Sequence, residues 1–94
     1  MMTIETKPWD AAEALNSPAD IAAYLDGYLE DGTPEELLRA INTIARSRGM
    51  TELARETGIS REALYRAFSD TGNPTLDTLL RVLKALGVRL AVAA

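Results

Sequence analysis

Residues 51–68, TELARETGISREALYRAF, leave the backbone few choices. The stretch divides at Gly58 into two short amphipathic segments, residues 50–57 and 61–69. Ala54 lies four residues before Gly58, so a very small side chain falls where two crossing helices would touch. Gly58 supplies a turn conformation that glycine reaches at least cost. Leu53, Ile59, Leu64 and Phe68 stand where both helices must be anchored to a body. Ser60 is placed to cap the second helix, with Glu62 and Ala63 in its first turn. The pattern predicts two helices crossing steeply through a tight turn.

The rest of the chain is punctuated by similar signals. Asp10 and Glu13 fit a D-x-x-E cap for a short helix over about residues 11–15, and Trp9 can staple it to the core. Ser17-Pro18 is a cap followed by a first-turn proline. Ile21, Leu25, Tyr28 and Leu29 then share a helical face that ends near Asp31-Gly32. Gly27 within it weakens the helix slightly. Thr33-Pro34-Glu35-Glu36 reads as a capping box with proline at the first helical position. Leu37, Leu38, Ile41, Ile44 and Ala45 form the stripe of that helix, which stops at Gly49. Residues 71–74, TGNP, form a loop. Thr75 can cap a last helix, with Asp77 near its positive end and Leu76, Leu79, Leu80, Leu83 and Leu86 on a wide apolar face. Gly87 ends it.

The tail, beginning Val88-Arg89-Leu90-Ala91-Val92, alternates apolar and polar at first. It can form a short strand only if a partner satisfies its backbone groups. A second copy can supply that partner; the alternative is an apolar tail lying on the helices. The expected fold class is all-α: a compact bundle of five to six short helices with an optional C-terminal strand. One domain is expected over residues 1–94. Within it, residues 9–48 form acidic helices, 49–87 the paired-helix region and 88–94 the strand or tail.

Composition narrows the chemistry. There is no cysteine and no histidine. Disulfides and thiolates are excluded, and the commonest general base and metal ligand are missing. No paired-carboxylate site or phosphate-cradling loop stands out, so no enzyme, cofactor or metal site is expected. No apolar run approaches the roughly 20 residues a membrane helix needs, and no export signal is visible, so the cytoplasm is the expected location. The net charge of −4 conceals a split. Residues 1–38 hold nine acids and one base, net −8, whereas residues 39–94 hold nine bases and five acids, net +4. Two surfaces with different partners would account for this; a solvated acidic face is the plainer alternative.

The second helix of the pair leaves Ser60, Arg61, Glu62, Tyr65 and Arg66 toward solvent on one side. Those are the positions at which a DNA-binding helix-turn-helix faces the major groove. A plain helical hairpin is the competing reading. The stretch ARSRGMTELARETGISREALYRAFSDTGNPTLDTLLRVLKALGVRL, residues 45–90, resembles the XRE/Cro-type helix-turn-helix family. The early SPADIAAYL and the ARSRGMTELA junction narrow the resemblance to HigA-like probable addiction-module antidote proteins, over nearly the whole chain. The resemblance implies a compact helical fold, often a homodimer, that binds double-stranded operator DNA and represses its own operon. It also implies a second partner, a small basic RNA-cleaving toxin of the RelE/HigB type that the antitoxin neutralises.

Arg61 and Arg66 are the foremost DNA candidates, since arginine can grip guanine or a phosphate with two hydrogen bonds. Either can instead pair with Glu62. Ser60 and Tyr65 can touch phosphate or a base edge, although Tyr65 can equally pack on the body. Thr51 can present its hydroxyl and backbone N–H to a phosphate, or serve as a cap. Asn73 and Thr75 open the last helix, where a phosphate is favoured, or form a plain turn and cap. Arg46 and Arg48 can add attraction without specificity or be solvated. Asp20, Tyr24, Asp26, Glu30, Asp31, Glu35 and Glu36 form the expected surface for the basic partner. Tyr24, Tyr28 and Trp9 also read as packing residues. The competing functions are a stand-alone XRE-family regulator and a helical interaction module that never touches DNA.

Overall fold

Most of the helices begin where a small hydroxyl side chain can take up backbone N–H groups that a helix start leaves open. The computed structural model describes residues 17–92. Five helices lie in this range: α1 (Pro18–Asp31), α2 (Pro34–Arg48), α3 (Met50–Thr57), α4 (Arg61–Ala67) and α5 (Leu76–Ala85). Ser17, Thr33, Ser60 and Thr75 cap α1, α2, α4 and α5 through their side-chain oxygens. At Thr33 the capping box is complete. Its Oγ1 accepts from the Glu36 N–H at 3.1 Å, and Glu36 Oε1 accepts from the Thr33 N–H at 2.9 Å. The helix expected at residues 11–15, with Trp9, lies outside the described residues. Among the described residues there is no strand, so the all-α expectation holds.

The helices close over one set of apolar side chains. Ala45 of α2, Leu53 of α3, Leu64 of α4, and Val82 and Leu86 at α5 are fully buried. Phe68, just past α4, and Ile41 and Ile44 fill the space between them, and Ile21 and Leu25 of α1 seal the other side. Ala54 and Ile59 pack against this core as the small-residue and anchor positions require.

The turn between α3 and α4 follows from Gly58, whose φ of 75° and ψ of 14° are left-handed. Its N–H donates to the Ala54 carbonyl at 2.9 Å and closes α3. Thr57, buried beside it, ties both sides of the corner together. Its hydroxyl donates to the Leu53 carbonyl at 2.8 Å and accepts from the Ile59 N–H at 3.2 Å. From α5, Arg81 donates to the Thr57 carbonyl at 3.3 Å while its Nε pairs with Asp77 at 3.1 Å. A cation is thus set at the negative end of α3. The arrangement is consistent with the expected helix-turn-helix. α4 is shorter than the sequence pattern implies, ending at Ala67 instead of residue 69. There the Ser69 hydroxyl donates to the Arg66 carbonyl at 2.9 Å and ends the helical ladder.

At the far end of α5 the chain makes a Schellman turn. Gly87, at φ 86°, donates to the Lys84 carbonyl at 3.0 Å, and Val88 donates to the Leu83 carbonyl at 3.0 Å. Arg48 reaches over from α2 and donates to the Ala85 and Leu86 carbonyls, each at 3.5 Å. This guanidinium therefore closes a helix end. Residues 88–92 take no regular secondary structure, because the strand pattern finds no neighbouring strand among the described residues.

Gly58 and Gly87, both at positive φ, should respond differently to a methyl group. A Cβ at Gly58 meets nothing nearer than Arg81 Nη1 at 3.9 Å, so Gly58→Ala should cost only backbone strain, about 1–2 kcal/mol. A Cβ at Gly87 would lie 2.9 Å from Pro18 Cγ, so Gly87→Ala should cost more in urea unfolding. Equal or reversed losses would contradict this packing.

Candidate nucleic-acid interface

α4 is held by Leu64 and Phe68, with Ala67 packed beside them, and its polar positions turn outward. Ser60, Arg61, Glu62, Tyr65 and Arg66 are all exposed, as are Thr51, Asn73 and Thr75. Among the described residues, ion pairs join Arg39 to Asp70, Arg55 to Glu52 and Arg81 to Asp77. Neither Arg61 nor Arg66 takes part in one, so the competing pairing with Glu62 is not formed. Arg61 instead lies over the Tyr65 ring, 5.8 Å from its centroid, within reach of a cation–π attraction. The tyrosine is thereby neither buried in the body nor unoccupied.

Arg66 shares a shallow depression of about 320 Å³ with Thr71, Asn73, Thr75 and Thr78. The chain leaves α4, loops through Gly72 and Pro74, and brings the start of α5 back beside Arg66. Three of the expected residues, Arg66, Asn73 and Thr75, therefore meet in one place. The Thr75 hydroxyl is engaged as a cap, accepting from the Thr78 N–H and donating to the Thr78 hydroxyl, each at 3.1 Å. Ser60 likewise accepts from the Ala63 N–H at 3.1 Å and keeps its own hydroxyl proton for another acceptor.

Thr51 differs from its expected alternative. It is not a cap: α3 begins after Gly49, at φ 106°, with no side-chain cap hydrogen bond. The opening N–H groups of α3 are therefore not covered by a capping side chain. Thr71 and Thr78, which line the same depression as Arg66, were not singled out by the sequence pattern. Their spacing from Arg66 in the chain gives no signal of the meeting.

The acidic residues gather elsewhere. Glu30 and Asp31 end α1, and Glu35 and Glu36 begin α2. Asp31 and Glu36 line a second depression of about 350 Å³ with Gly27, Tyr28 and Gly32. Glu35 and Glu36 suit the positive start of α2, but Glu30 and Asp31 sit at the negative end of α1, whose last turn holds no base. Asp20 is in the first turn of α1 and Asp26 lines a separate apolar groove. Tyr24 is half-buried against Tyr28, ring centroids 5.4 Å apart in an edge-on contact, so it packs more than it projects. Among the described residues, no helix is long and apolar enough to cross a membrane, and no group of three or more acidic side chains could hold a metal ion.

This geometry meets a family assignment. A family model described as a probable addiction module antidote protein matches residues 5–94. The chain belongs to that family. A protein of Haemophilus influenzae described only as uncharacterized is 46% identical over 91 residues, covering 97% of this chain and 94% of its own. No solved structure matches the chain significantly. An antidote acts on a toxin, so the family gives this antidote a toxin partner.

Tyr24 offers a check on the α1 packing. Burial first, and the neighbouring Tyr28 second, push its phenol up to about 12 from an ordinary 10. The folded state thus favours the neutral ring. That stabilisation is complete below pH 10 and lost as the pH rises toward 12. Urea midpoints should fall over this window, and Tyr24→Phe should flatten part of the fall; an unchanged slope would contradict the assignment.

Proposed function

We propose that this antidote is the DNA-binding antitoxin of a type II toxin-antitoxin module. In this reading α3 and α4 act as a helix-turn-helix of the XRE/Cro type, with α4 in the major groove of the module's own operator. The observation that carries it is the outward face of α4, where two arginines stand exposed without an acidic partner. Arg61 and Arg66 read guanine edges or clamp phosphates. Glu62 and Ser60 face the same groove, and Tyr65 orders Arg61 through its ring. Thr51 with the uncapped start of α3, and Asn73 with the start of α5, receive the flanking phosphates. Two copies would set paired reading helices about one DNA turn apart.

The toxin in this reading is small and basic, of the RelE/HigB type. It docks on the acidic corner where Glu30 and Asp31 end α1 and Glu35 and Glu36 begin α2, with Asp31 and Glu36 beside Tyr28. Glu30 and Asp31 support this choice because they oppose the α1 dipole and gain from an approaching cation. Asp20 and Tyr24 stand further along α1 and extend the same acidic side. The work is then divided: DNA on α4, toxin on the corner, within one cytoplasmic regulator that represses its own operon.

The DNA reading is tested by gel shift on the gene's upstream region. Arg61→Ala or Arg66→Ala should weaken specific binding by about 1–3 kcal/mol where the residue reads a base. An equal loss on random DNA would reassign that arginine to phosphate, and the absence of any salt-sensitive complex of the unaltered protein would remove the DNA reading. At Tyr65, phenylalanine should preserve binding and leucine should not; loss with phenylalanine would make the hydroxyl the contact.

The corner makes a separate prediction. Glu30→Gln and Asp31→Asn should each stabilise the free antidote by about 0.3–1 kcal/mol, because each removes a charge from the wrong helix end. The same changes should weaken capture of the basic protein encoded beside the gene. Stabilisation with undiminished capture would move the toxin surface away from this corner.

A further inference from the structure

α4 is seven residues long, too short to hold a fixed direction by itself. Among the described residues its main helix-to-helix packing is on α3, and α3 packs in turn on α5. One side chain crosses from α5 to the corner through which α3 steers α4. Arg81 Nη1 donates to the Thr57 carbonyl at 3.3 Å, and Arg81 Nε pairs with Asp77, one turn back on α5, at 3.1 Å. The Thr57 carbonyl belongs to the peptide group that enters Gly58, whose φ of 75° turns the chain toward α4. The same Nη1 is the nearest neighbour a Cβ at Gly58 would meet, at 3.9 Å.

A guanidinium suits this post and an ammonium does not. Its planar fork presents Nε to one acceptor and Nη1 to another, so Asp77 fixes the plane in which the Thr57 carbonyl is held. A lysine keeps the charge and loses the two-point geometry. The side chains of Arg81 and Asp77 are 52% and 72% exposed, so their ion pair adds little to stability. Its value is directional. Reading a base edge needs a side chain held to within about 0.5 Å, whereas attraction to phosphates tolerates looseness. A corner that sways would misplace Arg61 and Arg66 against bases and leave the general attraction intact.

We propose that Arg81 and Asp77 are positioning residues for α4, setting how well the antidote discriminates its operator from other DNA without touching DNA themselves. This rests on the DNA reading above and adds to it two residues outside its contact face. The plainer role of each is different. Asp77 suits the positive start of α5, and Arg81 as a free cation would bind a phosphate. The pairing also gives Asp77 an effect opposite to its charge. Removing an acid from a DNA-binding protein ordinarily strengthens its complexes, but removing this one frees Arg81 from its plane.

The test is gel shift of the full-length protein on the upstream-region duplex and on a random duplex of equal length, with hydrogen exchange of the free protein. Arg81→Lys should leave random-DNA affinity and its salt slope unchanged and lower operator affinity about fivefold or more. Asp77→Asn should lower operator affinity likewise, and the double change should cost little more than either single one. In the free protein, Arg81→Lys should speed exchange of the Ile59 N–H, which donates to the Thr57 hydroxyl, while the urea midpoint moves little. Operator affinity kept by Arg81→Lys, a tighter operator complex with Asp77→Asn, or unchanged exchange at Ile59 would overturn the proposal. Arg81→Met, which removes the charge, should still spare random DNA. A matched loss on both duplexes, with the salt slope smaller by about one, would make Arg81 a phosphate contact and overturn it too. No complex with the unaltered protein would sink the DNA reading, and exchange at Ile59 would then decide the tether alone.

Discussion

Arg81 of α5 holds the carbonyl of Thr57 at the corner where α3 becomes α4. The outward face of the antidote depends on that corner. Gly58 takes the left-handed turn, and the buried Thr57 hydroxyl ties the last turn of α3 to Ile59. With the corner fixed and Leu64 driven into the core, the direction of α4 is set. Arg61, Tyr65 and Arg66 then have no position except outside. A change at Arg81 would act on α4 without touching it. The same device appears at the other end of α5, where Arg48 meets the Ala85 and Leu86 carbonyls. In both cases an arginine supplies charge to a negative helix end and joins elements distant in the chain.

This division of labour among arginines explains how an acidic protein can leave two unpaired arginines exposed on one helix face. Several cations are spent on the fold: Arg48 and Arg81 on helix ends, and Arg39 and Arg55 beside carboxylates. Arg61 and Arg66 are spared this. The carboxylates at the α1–α2 corner lie on other elements, where they can attract a cationic protein without cancelling α4. A net charge of −4 is therefore compatible with two clients of opposite charge, one on each surface.

Much of this was legible because caps are local. Ser17, Thr33, Ser60 and Thr75 each announce a helix within three residues, and each caps one. Ala54, Gly58 and the surrounding apolar residues were readable for the same reason. What escaped was carried by contacts across the chain. Arg81 and Thr57 are 24 residues apart, and Arg48 and Ala85 are 37 apart. Neither spacing has a pattern, so Arg48 looked like a DNA-attracting or solvated charge. Thr51 could be read as a cap because Gly49 gives no sign that its helix begins without one. The meeting of Arg66 with Thr71 and Thr78 depends on the path of a loop that composition marks but does not draw. The tail pattern was visible, but a strand needs a neighbouring strand, and the described residues hold none.

In the proposed function one antidote carries two separate faces, α4 for DNA and the acidic corner for protein. Amide chemical shifts of the labelled protein, recorded as an upstream-region duplex is added, test it most directly. Shifts are expected at Thr51, along residues 60–66 and at residues 71–75, with residues 30–36 unmoved. Shifts centred on residues 30–36, with α4 silent, would contradict it.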